Sequence, residues 1–142
     1  MANPRAIVDY EGIQNYRFTV PYDNSAITYS ATADGGSTSV GLAVSLTSSD
    51  TLTLVGDAEN VLGKLISVEA DGMCTVERGF VTLPGGSGAT LTRGKSIVGD
   101  LGAASAEGYI REVNTAVAAE LGVMDGKIID PSTTTAVVVH LP

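Results

Sequence analysis

The sequence predicts an all-β fold: a compact β-barrel or β-sandwich of many short antiparallel strands, one short helix near 114–121, and an extended N-terminal arm. Three observations carry this expectation. Apolar and polar residues alternate with period two in one segment after another, as half-buried strands do. Turns rich in Gly, Asp and Pro interrupt the alternation at short intervals. One phrase also recurs about 31 residues apart: Gly63-Lys64-Leu65-Ile66, Gly94-Lys95-Ser96-Ile97 and Gly126-Lys127-Ile128-Ile129, each passing into a β-type apolar run. A Gly that opens a hairpin and a Lys that starts an edge strand account for the phrase.

Taken in order, 15–20 alternates cleanly, with Tyr16, Phe18 and Val20 on one face and Arg17 and Thr19 on the other. In 39–46 the residues Val40, Leu42, Val44 and Leu46 line one face, and Thr51-Leu52-Thr53-Leu54-Val55 repeats the pattern after a Ser48-Ser49-Asp50 turn. Segment 39–55 therefore reads as a hairpin. A second hairpin joins 61–69 to 73–78 through Asp71-Gly72, the strongest short-range turn signal in the chain. Strands at 80–83, 96–98, 108–113, 127–129 and 135–141 complete the set, separated by turns such as Pro84-Gly85-Gly86, Gly99-Asp100 and Asp130-Pro131. The helix near 114–121 rests on Val113, Val117 and Leu121 at helical spacing, a high Ala content, and Gly122 as a stop.

The first 38 residues differ from the rest, which divides the chain into an arm and loop at 1–38 and a β domain at 39–142. Four of the five tyrosines lie in the arm: Tyr10, Tyr16, Tyr22 and Tyr29. Tyrosine favours interface centres, so these four are the candidate partner contacts. The alternative is that they plug an open end of the barrel.

Composition narrows the function. Eight basic residues are scattered singly against sixteen acidic ones, net charge −8, so no basic stripe tracks a phosphate backbone and nucleic acid is not an expected partner. No apolar run approaches the roughly 18 residues of a membrane span, and no signal peptide is apparent at the N-terminus. The single Cys74, in a strand, reads as a packing thiol. With charged residues at only 17%, much of the surface must be Ser, Thr, Gly and Ala, which suits contact with other proteins.

Catalytic and cofactor motifs fail on spacing. Gly94-Lys95-Ser96 ends like a phosphate-binding loop, but the required upstream Gly position is Ala89 and no helix pattern follows. His140 is the only histidine, no Gly-x-Ser-x-Gly elbow is present, and Gly85-Gly86-Ser87-Gly88 reads as a turn. One His and one Cys cannot build a zinc site. Asp57, Glu59 and Asn60 lack the spacing of a calcium loop and read as solvated. No catalytic, cofactor or metal residue is therefore expected, and the chain does not read as an enzyme.

The phrases have a familiar order: Val40-Gly41-Leu42-Ala43-Val44, Gly56-Asp57, Val61-Leu62-Gly63-Lys64-Leu65, Val68-Glu69-Ala70-Asp71-Gly72, Gly79-Phe80-Val81-Thr82-Leu83-Pro84 and Leu91-Thr92-Arg93-Gly94-Lys95. With Gly126-Lys127-Ile128-Ile129-Asp130 and Val137-Val138-Val139, this stretch of about 40–142 resembles the capsid cement, or decoration, proteins of tailed bacteriophages. The arm matches nothing in that family. The resemblance implies a virion protein on the capsid exterior, seated as a homotrimer and stapling neighbouring major capsid protein subunits. It also implies assembly in the host bacterial cytoplasm, which suits a chain without disulfides. A tail-tube or head–tail connector protein is the alternative, and a phosphate-handling or hydrolytic β enzyme comes third.

Overall fold

The computed structural model describes residues 15–142. Nine strands form: β1 (Tyr16–Pro21), β2 (Ala43–Leu46), β3 (Leu52–Leu54), β4 (Gly63–Val68), β5 (Met73–Leu83), β6 (Ile97–Asp100), β7 (Tyr109–Glu112), β8 (Lys127–Asp130) and β9 (Val137–Leu141). One helix, α1 (Ala118–Leu121), joins them. The chain is thus mainly β, and its principal sheet is a curled antiparallel half-barrel. Seven strands run in the order β3-β2-β4-β5-β9-β8, with β1 also pairing β5; β6 and β7 form a separate two-stranded ribbon.

The spine is β5. The sequence divides it at Arg78 into two strands, whereas the structure has a single strand of 11 residues. Its first half lies between β1 and β4, and its second half pairs β9, from Gly79↔Leu141 to Leu83↔Val137. The passage between halves needs Gly79, whose φ of +110° disfavours any side chain. A Cβ there would also lie 2.8 Å from Asn15 Cα.

Pleating along β5 serves two cores. Cys74 and Val76 pack with Tyr22, Ile27, Val44, Leu52, Leu65 and Val68. Val81 and Leu83 pack instead with Ile97, Ile110, Ile128, Val137, Val139 and Leu141. Neighbouring residues elsewhere divide the same way: Ala43 enters the second cluster and Val44 the first. Successive strand residues point to opposite faces, so β2 is covered on both. The first cluster fills the inside of the curl, and an isolated bridge Tyr22↔Leu52 brings the end of β1 towards β3. The second lies beneath β8, β9 and the β6–β7 ribbon, which Ile97↔Asp125 and the Ile110 N–H to Pro84 O bond (3.0 Å) tie to the sheet.

Three expectations are corrected here. Residues 15–38 are not a separate arm: β1 pairs β5 along its whole length, and Tyr22 and Ile27 are core residues. Lys64 does not start an edge, because β4 lies between β2 and β5. The helix shrinks to four residues, since Val117 and Leu121 are 39% and 43% exposed and find no core to pack against. Asn114–Val117 forms a turn instead, with the Val117 N–H donating to Asn114 O.

Candidate interaction surface

Alternation in β1 sends Phe18 and Val20 against the inner core and leaves Arg17 and Thr19 outside. Arg17 meets Glu77, its cross-strand partner, at 2.6 Å while remaining largely exposed. Two rungs set the phase of the β1–β5 ladder. The Tyr22 N–H donates to Gly72 O at 3.2 Å. At the other end a side chain replaces backbone: the Phe80 N–H donates to Asn15 Oδ1 (2.7 Å), and Asn15 Nδ2 donates to Phe80 O (2.9 Å). Even-numbered residues of β1 therefore bond β5, and Arg17 and Thr19 turn their N–H and C=O groups away from it. Pro21, next in that series, has no N–H to offer. Apart from the bridge at Tyr22, no strand among the described residues pairs with that edge.

The four tyrosines separate. Tyr16 opens β1, is 49% exposed, and stacks on Phe18 with centroids 6.2 Å apart. Tyr29 is exposed on the following loop. Tyr22 is buried in the inner core, and its hydroxyl donates to Glu69 O at 2.9 Å, so it plugs the curl rather than offering a contact. Tyr10 lies outside the described residues. Sequence reading missed the aromatic pair made by Phe80 and His140, whose rings stack at 4.4 Å on the outer face. Their partnership across β5–β9 is set by register, and no local signal exists for it.

The residues weighed for chemistry have structural partners. The Gly94 N–H donates to Ile128 O, and the Ile128 N–H to Lys95 O, so the second Gly-Lys phrase is bonded to the third. Ser96 is buried, its hydroxyl accepting from Lys127 Nζ at 3.0 Å. Asp57 faces Arg111, Glu59 accepts from the Gly56 N–H, and Asn60 donates to Val123 O, so the three diverge. No group of three or more metal-ligating side chains occurs among the described residues. Cys74 is buried, donates to Val20 O, and its thiol is pushed up to about 11 by burial and then by the Asp23 charge. A thiol held protonated is a poor nucleophile.

The densest charge cluster surrounds Arg111. Its guanidinium donates to both oxygens of Glu120 (2.7 and 3.0 Å) and to Asp57 (3.1 Å). Glu120 is only 5% exposed and also accepts the Asn114 N–H at 2.7 Å. These bonds, Arg111 foremost, hold its carboxyl down at about 2 despite burial. A polar cleft of about 510 Å³ beside the cluster is lined by Lys95, Asp100, Arg111 and Glu112 among others.

Fold and surface together define a β domain whose β1 edge, among the described residues, is paired by no strand beyond Tyr22. No protein-family model matches the chain, and searches of the curated proteins and of the solved structures return no match.

Proposed function

We propose that this chain is a virion structural protein that binds the exterior of a tailed-phage capsid. There it stabilises the shell by bridging neighbouring major capsid protein subunits, as a homotrimer. The observation that carries the reading is the edge of β1, unpaired beyond Tyr22 among the described residues, with Tyr16 exposed at its start. An edge strand with free backbone groups can accept or extend a partner's sheet, and aromatic neighbours give the contact its grip. The likeness of 40–142 to capsid cement proteins supports the same role. Several weak contacts made by one oligomer gain through effective concentration once the first is seated.

The test mixes the purified chain with undecorated empty heads of the phage whose genome encodes it, followed by co-sedimentation and imaging. The full chain should decorate the heads, and Tyr16→Ser, which strips the exposed aromatic from the β1 edge, should weaken binding while keeping its circular dichroism. Equal decoration by that variant would remove the β1-edge contact. Rings or tubes of the chain alone, with bare heads, would favour a connector or tail-tube protein and sink the cement reading.

A further inference from the structure

The ladder to β5 uses only half of the β1 backbone groups. Arg17 and Thr19 turn their N–H and C=O groups the other way, and no strand among the described residues takes them. The side chains on this edge are also incompletely covered. Tyr16 is 49% exposed, and Phe18 and Val20 are only partly buried. Arg17 keeps 61% of its side chain exposed although Glu77 holds it from the β5 side. An uncovered edge templates pairing with other chains, and native folds cover such edges.

The chain reaches this edge from a fixed point. Asn15, where the described residues begin, is tied to Phe80 by two side-chain bonds, which places everything before it one residue from β1. In sequence, Ala6-Ile7-Val8-Asp9-Tyr10 alternates with the same period as β1, and 11–15 offers five residues containing Gly12 for a hairpin loop. Setting Tyr10 opposite Tyr16 brings Val8 opposite Phe18 on the apolar face. On the other face it brings Asp9 opposite Arg17 and Ile7 opposite Thr19. A slip of one residue would send Asp9 to the Phe18 face and Tyr10 to the Arg17 face. In the matched phase Ile7 and Asp9 exchange N–H···O bonds with Thr19 and Arg17, the groups that β5 leaves over.

We propose that 6–10 of the same chain closes the β1 edge as an antiparallel strand until a partner binds. The tether at Asn15 selects this occupant over a second copy. A short linker gives the segment a high effective concentration, whereas two copies at −8 each repel. The proposal deepens the capsid reading by adding regulation of the same edge. It rests on that reading for one step alone, in which a coat strand takes the place of 6–10.

Hydrogen exchange followed by NMR on the full chain, without heads, tests the contact. The Arg17 and Thr19 amides should exchange at least about tenfold more slowly than in a variant carrying Ile7→Pro and Asp9→Pro, which lacks both donors to β1. The Phe18 and Val20 amides, which face β5, should be equally protected in both and report an intact fold. Tyr10→Cys with Tyr16→Cys should close a disulfide within one chain on oxidation, since Cys74 is buried. Equal exchange of Arg17 and Thr19 in wild type and proline variant would overturn the proposal. So would a cysteine pair that links two chains, because the strand would then be a second copy's. On empty heads the proline variant should decorate at lower concentration than wild type, having no strand to displace; an unchanged or higher midpoint would overturn the displacement. Slow Arg17 and Thr19 exchange with heads left bare by both proteins would defeat only the capsid reading.

Discussion

Glu120 shows how one residue can organise a surface. Its carboxyl has an ordinary value of 4.5 and is held at about 2, chiefly by Arg111 and secondly by the Asn114 N–H. A carboxyl depressed on folding adds stability that is complete above its unfolded value and lost as pH falls through the folded one. Between about pH 5 and pH 2, wild-type urea midpoints should fall more steeply than those of Glu120→Gln, which has no such group to titrate. Glu120→Ala, which leaves Arg111 with Asp57 and Asp100 but the Asn114 N–H without its acceptor, should cost on the order of 2 kcal/mol at neutral pH. Parallel pH profiles for wild type and Glu120→Gln would show that the ion pair contributes little. Sequence reading took this stretch as a plain amphipathic helix because Val113, Val117 and Leu121 keep the spacing. Arg111 lies nine positions away and one strand earlier, so the ion pair that overrides the pattern has no local trace.

Along β5, β4 gives way to β9 as the hydrogen-bonded neighbour between Glu77 and Gly79. The Arg78 guanidinium sits at that junction, donating to Leu62 O, to Asp125 and to Pro142 O. Gly63, at the start of β4, has no room for a side chain: a Cβ would meet Val76 Cγ1 at 2.6 Å and Glu77 O at 2.7 Å. Gly94, in the second phrase, faces open space. Gly63→Ala should therefore destabilise by about 2–3 kcal/mol through overpacking, and Gly94→Ala by about 1 kcal/mol, through its backbone alone. Chemical denaturation of the pair measures the difference, and equal losses would refute the packing argument. The three phrases look alike in sequence, yet they answer to different constraints. The β2–β3 hairpin and the one at the Asp71-Gly72 turn were legible because turn and alternation are local, although 39–42 is turn rather than strand and Leu46 is exposed instead of sharing the buried face of Val44. The union of 73–78 with 80–83 was not, since Gly79 reads as a break until Asn15 fills its empty side.

At the scale of the whole molecule, β5 runs through both hydrophobic clusters, so neither can melt without disturbing the other's wall. Val76→Ala and Val139→Ala, one in each cluster, should each cost about 2 kcal/mol and shift a single shared transition. Tyrosine fluorescence and far-ultraviolet circular dichroism should trace the same curve. Two separated transitions would mean that the clusters are independent units. This unity explains why the boundary drawn at 38 does not divide the fold: the tyrosine-rich segment contributes β1, Tyr22 and Ile27 to the same interior.

By itself the sequence determined where most strands and turns fall, that the fold is all-β, and that catalytic and cofactor motifs fail on spacing. Those properties depend on period-two alternation, turn chemistry and residue counts, which are local or compositional. Tertiary structure alone decided that the two halves of one strand feed two cores, that Tyr22 faces in while Tyr16 faces out, and that Glu120 is buried while Val117 and Leu121 are exposed. Alternation assigns residues to two faces but does not say what covers either one. The cover comes from strands and side chains far away in sequence, and only their packing settles which face is interior and which is left for a partner.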